Sequence, residues 1–206
     1  MQALNLSLFQ WMAAGHSPQP QLLWIASLIA VGSAWLCVAV MGWMAWRHPA
    51  QRAYVMATLF AAGVASLVAH AVADAIHLPR PFIVGLSPSY IDHGARGSMP
   101  STHATVMFTI ALIFLMRPAA RIAGLVLLAV ALATGWARVY VGVHYPLDIV
   151  GGLVLGAVIA GVFWLLVKLN ARFIAPLIAR DDARSAPPAP RADQPAVPLA
   201  PTSAAH

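Results

Sequence analysis

The sequence contains few charged side chains. Of its 206 residues, 9% are Asp, Glu, Lys or Arg, whereas 61% are hydrophobic. A soluble domain normally carries about 25% charged residues, so this chain has too few charges to cover a surface that faces water. Only one cysteine, Cys37, is present, which excludes a disulfide within the chain. The composition therefore indicates an integral membrane protein.

Five apolar segments approach or exceed the length of about 20 residues that a helix needs to cross the hydrocarbon core of a membrane. They cover residues 22–46, 53–76, 101–116, 120–142 and 147–169. The opening segment is shorter and has Leu4, Leu8 and Trp11 at helical spacing. We expect it to lie in the membrane interface or to form a short buried helix. The predicted fold is all-α, with five transmembrane helices, this N-terminal helix and a helix-bundle core.

Arginine and lysine are distributed unevenly between the two sides of the predicted membrane domain. Of the 12 in the chain, nine fall on the side of the C-terminus, and only Arg80, Arg96 and Arg138 fall on the other. Because positive residues are retained in the cytoplasm, the C-terminus is predicted to be cytoplasmic and the protein to lie in the inner membrane. The same bias accounts for the net charge of +6, so no nucleic-acid partner is expected.

The C-terminal end of the chain differs in composition from the rest. Residues 181–206 are rich in Ala and Pro and have almost no large apolar side chains. Such a segment cannot bury enough surface to offset the entropy lost on ordering. We therefore predict a membrane-embedded domain over residues 1–180 and a disordered cytoplasmic tail over residues 181–206.

Three groups of polar residues lie on the outer side, each where a predicted helix enters or leaves the membrane. The first contains Arg80, the second contains Ser101, Thr102 and His103, and the third contains Arg138, His144 and Asp148. Helix ends on one face of a membrane can meet although they are far apart in the sequence. We therefore expect the three groups to form one site.

The residue types in these groups suit a phosphate. Arginine offers a fixed fork of donors and stays charged, and the prolines on both sides of Arg80 restrict its backbone. The segment Pro100–Ser101–Thr102 resembles a helix start, where a hydroxyl can cap the helix and free N–H groups can bind an anion. A carboxylate at Asp148 can hold one nitrogen of His144 and leave the other free to attack.

Each of these residues alone also has an ordinary structural explanation. A histidine at a membrane helix end is usually hydrogen-bonded at the interface, and an outer arginine can be an anchor that reaches the headgroups. Asp148 could be only a charge at a helix N-terminus. For the loop residues Asp92, His93 and Arg96, solvated charges are favoured over the lining of an entrance. A further alternative is a metal site on one helix face, formed by His70, Asp74 and His77.

Taken together, the three groups resemble the signature of the type 2 phosphatidic acid phosphatase superfamily, which also contains the vanadium haloperoxidases. That signature reads K-x6-R-P, then P-S-G-H, then S-R-x5-H-x3-D. Here R-P is Arg80–Pro81, P-S-T-H covers residues 100–103, and R-x5-H-x3-D covers residues 138–148. The positions of the lysine, the glycine and the first serine hold Ala73, Thr102 and Ala137. Within the superfamily, the pattern is similar to the bacitracin-resistance type of undecaprenyl-diphosphate phosphatase.

The resemblance implies a role for each matching residue. His144 would be the nucleophile that forms a phosphohistidine, Asp148 would orient it, and His103 would be the general acid. The phosphoryl oxygens would be bound by Arg80, Arg138, Ser101 and Thr102, without a metal or another cofactor. Residues 1–180 would then be a lipid phosphatase domain whose partners are a polyprenyl diphosphate and membrane lipids. No protein partner is indicated.

The implied reaction is hydrolysis of undecaprenyl diphosphate to undecaprenyl phosphate and inorganic phosphate on the periplasmic face, which recycles the lipid carrier of the cell wall. Two alternatives stay open. One is a phosphatase of another lipid phosphate, such as phosphatidic acid, phosphatidylglycerophosphate or lipid A, or a lipid phosphotransferase. The other is a non-catalytic membrane protein that binds lipid phosphates.

Overall fold

The structure, a computed structural model, describes residues 2–175. Within this range the chain forms six α-helices and no strand. The helices are α1 (Gln2–Met12), α2 (Pro20–Arg47), α3 (Arg52–Ile76), α4 (Thr102–Met116), α5 (Arg121–Tyr140) and α6 (Pro146–Leu169). The predicted all-α fold is confirmed, and each predicted span coincides with one helix to within about two residues, the usual uncertainty of a helix boundary. The predicted tail, residues 181–206, lies outside the described residues.

Four of the helices are long and apolar enough to cross a membrane, namely α2, α3, α5 and α6. Helix α4 has only 15 residues, which is less than the roughly 20 that a perpendicular crossing needs. The protein is therefore a multi-pass membrane protein. A fifth crossing by α4 stays a prediction.

The chain divides into two units between Leu166 and Val167. The first unit contains α1 to α5 and most of α6. In the second unit, the described residues complete α6 and form a π-helical turn over Asn170–Ile174. The predicted domain boundary after residue 180 lies outside the described residues.

Helix α4 is the central helix of the first unit. Its residues Ala104, Met107, Phe108, Ala111 and Phe114 are all buried, and it packs against both α3 and α5. Unlike the long apolar helices, which leave much of their surface open to lipid, α4 is covered mainly by its neighbours. Because α4 is enclosed in this way, its N-terminus brings the segment that begins at Ser101 into the interior of the bundle.

Two glycines allow α6 to lie close to α4. The G-x-x-x-G step of Gly152 and Gly156 predicts close helix packing, and this prediction is confirmed. A Cβ atom on Gly152 would lie 2.7 Å from the Cβ of Ala104, and one on Gly156 would lie 2.9 Å from the carbonyl oxygen of Thr105. Asp148 lies one helical turn before Gly152, so the close contact brings Asp148 to the start of α4.

Helix α1 supports the turn between α5 and α6. The buried ring of Phe9 lies 5.3 Å from the ring of Tyr145. The amide N–H of Leu147 donates to Oδ1 of Asn5 at 3.0 Å. The opposite face of α1 is open, since Trp11 is 84% exposed. The short N-terminal helix thus covers the segment that carries His144.

Candidate active site

The structure brings the three polar groups together at the N-terminal end of α4. Nη1 of Arg80 lies 3.1 Å from Nε2 of His144. Nε2 of His93 lies 3.1 Å from the same Nη1 atom and 2.8 Å from Nη2 of Arg138. His103 lines the cavity that Arg80 and His144 also line. Segments from α3 to α6 therefore contribute to one site.

Arg80 is fixed by main-chain carbonyl groups. Its Nε donates to the carbonyl of Arg96 at 2.9 Å, and its Nη2 donates to the carbonyl of Gly97 at 3.1 Å. Its Nη1 donates to the carbonyl of Val143, also at 3.1 Å. The side chain thereby connects the loop between α3 and α4 to the turn between α5 and α6. A guanidinium group held on three sides presents its remaining N–H groups in a fixed direction.

Arg138 is buried at the end of α5 and is less firmly held. Its Nη1 donates to the carbonyl of Ala30 at 3.1 Å, and its Nη2 donates to His93. Its Nε has no hydrogen-bond partner among the described residues. A buried donor without a partner costs about 1–3 kcal/mol. An oxyanion bound at the site would accept from such a donor.

Ser101 is the residue before α4, as the sequence predicts, but its side chain makes no capping hydrogen bond. The predicted capping role of the Ser101 hydroxyl is therefore wrong. Ser101 is fully buried, and it is held by a contact with α6 instead, since its own N–H donates to the carbonyl of Asp148 at 3.0 Å. Its hydroxyl also has no partner among the described residues. Thr102 and His103 follow in the first turn of α4, where the helix dipole favours an anion.

The carboxylate of Asp148 orients His144. Its Oδ2 accepts from Nδ1 of His144 at 3.3 Å, from the N–H of Tyr145 at 2.7 Å and from the hydroxyl of Ser98. Because an ionised carboxylate only accepts, Nδ1 carries the hydrogen and Nε2 keeps its lone pair. Burial lowers the pKa of His144 to about 4, against the opposing effect of Asp148. The imidazole is thus neutral at pH 7 and can act as a nucleophile.

A cavity of about 570 Å³ extends from this site between α2, α3 and α4. At one end it is lined by Arg80, His93, Arg96, Thr102, His103 and His144. Most of the other lining residues are apolar, among them Val38, Met41, Leu59, Val106 and Ile110, and the polar ones are Ser66, His70 and Asp74. The cavity therefore combines a cationic end with an apolar path along membrane-spanning helices.

Two residues of the site, His93 and Ser98, were not among the predicted site residues. For His93, a solvated loop position was favoured over the lining of an entrance, and the favoured position is wrong, because its ring is half-buried between Arg80 and Arg138 and lines the cavity. Burial and these two positive charges lower the pKa of His93 to about 3. Ser98 is buried and donates to Asp148. The sequence offers one weak signal for both, since they belong to the loop that leads directly into Ser101.

The alternative of a metal site is also wrong for the residues that were named. Within residues 2–175, no group of three or more His, Cys, Asp or Glu side chains is placed to hold a metal ion. Nδ1 of His70 donates instead to the carbonyl of Ser66 at 2.8 Å. His70 and Asp74 each line the cavity, and His77 ends α3 with a left-handed backbone conformation.

A neutral histidine oriented by a carboxylate, beside two guanidinium groups and a helix N-terminus, is a site for transferring phosphoryl groups. The fold places this site in a bundle of membrane helices, which defines the class as a membrane phosphatase. Residues 54–172 match the PAP2 superfamily, and the chain belongs to that superfamily. The resemblance inferred from the three motifs is thus confirmed.

Individual relatives agree with this assignment. YbjG of Escherichia coli (strain K12), a provisionally named undecaprenyl-diphosphatase, is 35% identical over 160 residues, which are 77% of this chain and 80% of YbjG. The undecaprenyl-diphosphatase BcrC of Bacillus subtilis (strain 168) is 34% identical over 113 residues, 54% of this chain and 58% of BcrC. The crystal structure of a transmembrane PAP2 type phosphatidylglycerolphosphate phosphatase from Bacillus subtilis has a TM-score of 0.63 and 20% identity, covering 84% and 88% of the two chains.

The geometry of the carboxylate gives a first prediction. In Asp148→Asn, the amide has no negative charge and can turn its NH2 group toward Nδ1 of His144, so the tautomer of His144 with its lone pair on Nε2 is no longer enforced. We expect the turnover number for phosphate release to fall by about 10²–10⁴-fold, as for other carboxylate-oriented histidines. The matched control is Asp92→Asn, which makes the same change at an exposed loop residue. Equal activity of the two variants would contradict the orienting role of Asp148.

Proposed function

We propose that the protein hydrolyses undecaprenyl diphosphate to undecaprenyl phosphate and inorganic phosphate. The observation that carries this proposal is the cavity, because it joins the cationic site at Arg80 and His144 to an apolar path between α2, α3 and α4. A lipid with a terminal phosphate needs both parts, one for the headgroup and one for the start of its chain. Two similar proteins that carry the name undecaprenyl-diphosphatase favour a diphosphate over a monophosphate.

In the proposed reaction, Nε2 of His144 attacks the terminal phosphorus in line with the bridging oxygen. The phosphorus–nitrogen bond forms as the bond to the leaving lipid monophosphate breaks, while the hydrogen stays on Nδ1 and its hydrogen bond to Asp148 is kept. The equatorial oxygens accept hydrogen bonds from Arg80 and Arg138 and from the N-terminal end of α4 at Ser101 and Thr102. His103 gives a proton to the leaving oxygen. It then takes one from the water that cleaves the phosphohistidine and releases phosphate.

We also propose that α4 completes five crossings, which puts the site on the periplasmic side of the inner membrane and the C-terminus in the cytoplasm. Residues 1–180 then form the lipid phosphatase domain, followed by the tail of residues 181–206. The distribution of arginine supports this orientation. The turns before α3 and before α5 carry the basic side chains that the rule assigns to the cytoplasm. The guanidinium of Arg117, in the turn before α5, lies 4.4 Å from the ring centre of Tyr54, in the first turn of α3.

Cysteine labelling in whole cells tests the orientation. In a Cys37→Ser background, Ala95→Cys adds a thiol to the exposed loop beside the site, and Ala50→Cys adds one to the exposed turn between α2 and α3. After the outer membrane is opened, a membrane-impermeant maleimide is expected to label position 95 only. Lysis should then expose position 50 as well. The reverse pattern would place the site in the cytoplasm.

A lipid panel tests the substrate. Purified protein is assayed for phosphate release from undecaprenyl diphosphate, phosphatidic acid, phosphatidylglycerophosphate and lipid A. We expect kcat/KM to be at least about tenfold higher for the diphosphate, which corresponds to roughly 1.4 kcal/mol of differential transition-state binding. His144→Ala is the inactive control, and radiolabelled phosphate should be trapped on the unchanged protein but not on this variant. A preference for another lipid would overturn the substrate while leaving the phosphatase intact.

The leaving group gives a sharper prediction for His103. A lipid monophosphate leaves as a phosphate with a pKa of roughly 6, whereas phosphatidic acid must release a far more basic alkoxide that needs a proton. His103→Ala is therefore expected to lower kcat at least about tenfold more on phosphatidic acid than on undecaprenyl diphosphate. Equal losses on the two lipids would show that His103 does not act as the general acid.

A further inference from the structure

His93 makes a contact that the superfamily signature does not include. Its Nε2 lies 2.8 Å from Nη2 of Arg138 and 3.1 Å from Nη1 of Arg80. Its ring also lies 5.7 Å from the ring of His144, in an edge-on arrangement at 71°. One nitrogen atom is thus shared by the two guanidinium groups of the site, directly beside the histidine that is proposed as nucleophile.

The chemistry of this contact determines the protonation of His93. A guanidinium group can only donate hydrogen bonds, so Nε2 must be the acceptor and Nδ1 must carry the hydrogen. Burial and the charges of Arg80 and Arg138 lower the pKa of His93 to about 3. Two further titratable groups face the ring, His144 and His103, and a positive charge on either of them would lower the pKa of His93 in the same direction. His93 is therefore a neutral acceptor at physiological pH.

The two arginines are held to different extents. Arg80 is fixed by three main-chain carbonyls, whereas Arg138 has only the carbonyl of Ala30 on Nη1. Without His93, Nη2 of Arg138 would lose its acceptor, and its Nε has none among residues 2–175. The two like charges repel each other, and the hydrogen bonds that both make to His93 offset part of this repulsion. His93 is consequently the group that fixes Arg138 relative to Arg80.

We propose that His93 is a positioning residue for phosphoryl transfer: it holds Arg138 beside Arg80 so that both can donate to oxygens of one phosphoryl group facing His144. The proposal rests on the phosphatase site and not on which lipid is cleaved. A displacement of about 1 Å at such a site can cost on the order of 10²-fold in rate. The apolar path that holds the lipid chain is lined by other residues, so the binding of that chain is unaffected.

A matched pair of variants tests this role. His93→Gln keeps an acceptor oxygen, while His93→Leu has a similar size and no acceptor. We expect His93→Leu to lower both kcat and the affinity for orthovanadate, a mimic of the phosphoryl transition state, by about 30-fold, within the range that misplacement at a reaction centre causes. For His93→Gln we expect both values to stay within about fivefold of the unchanged protein. KM for the lipid should change by less than about threefold in either variant.

The controls separate positioning from folding and from substrate choice. His48→Leu removes an exposed histidine from the turn after α2 and should leave all three values unchanged. Orthovanadate affinity is also measured from the shift in melting temperature that orthovanadate causes, which needs no lipid substrate. If undecaprenyl diphosphate is not the substrate, the proposed function fails, but the effect of His93 on orthovanadate affinity can still be tested. If His93→Leu does not fold, the comparison of His93→Gln with His93→Asn, whose shorter amide falls short of both guanidinium groups, replaces it. The proposal would be overturned if the variant with an acceptor at position 93 and the variant without one had the same kcat and the same affinity for orthovanadate.

Discussion

The site depends on the three hydrogen bonds that Oδ2 of Asp148 accepts. They come from Ser98 in the loop before α4, from the N–H of Tyr145 and from His144. The carbonyl of Asp148 also accepts from the N–H of Ser101. One residue therefore connects the α3–α4 loop, the α5–α6 turn and the start of α4. A buried carboxylate is tolerated only when its oxygen atoms are well paired, and here the pairing itself assembles the site.

The charges around this carboxylate do not balance. The contact between Asp148 and His144 is a hydrogen bond to a neutral ring and not an ion pair. Arg80 and Arg138 instead donate to carbonyl groups and to neutral His93. Two buried cations without a carboxylate of their own lower the stability of the fold and raise the affinity for an anion with two negative charges, such as a terminal phosphate. Binding of that anion would restore stability through mass action.

The sequence predicts the helices well and the site in part. The bounds of α2, α3, α5 and α6 can be predicted closely, because a helix that crosses the membrane needs a minimum number of apolar residues and each apolar run is only slightly longer than that. The motif residues could be grouped because each lies at or beside a helix end on the same side of the predicted membrane domain. His93 and Ser98 could not be placed, since their partners Arg138 and Asp148 lie 45 and 50 residues away and no periodicity connects them. The rule for helix caps failed at Ser101 because it uses only the local sequence, and Ser101 is held by a contact with Asp148, which is distant in the sequence.

The loop between α3 and α4 contacts the position of the signature lysine, which is Ala73 in this chain. Gly97 packs directly on α3, where an added Cβ would overlap the carbonyl oxygen of Ala73. The carbonyls of Arg96 and Gly97 at this contact are the ones that hold Arg80. Ala73 and Arg96 line the cavity together. At the point where the signature has a lysine on α3, the loop therefore packs on the main chain of Ala73, and the carbonyls of this loop hold the guanidinium group of Arg80.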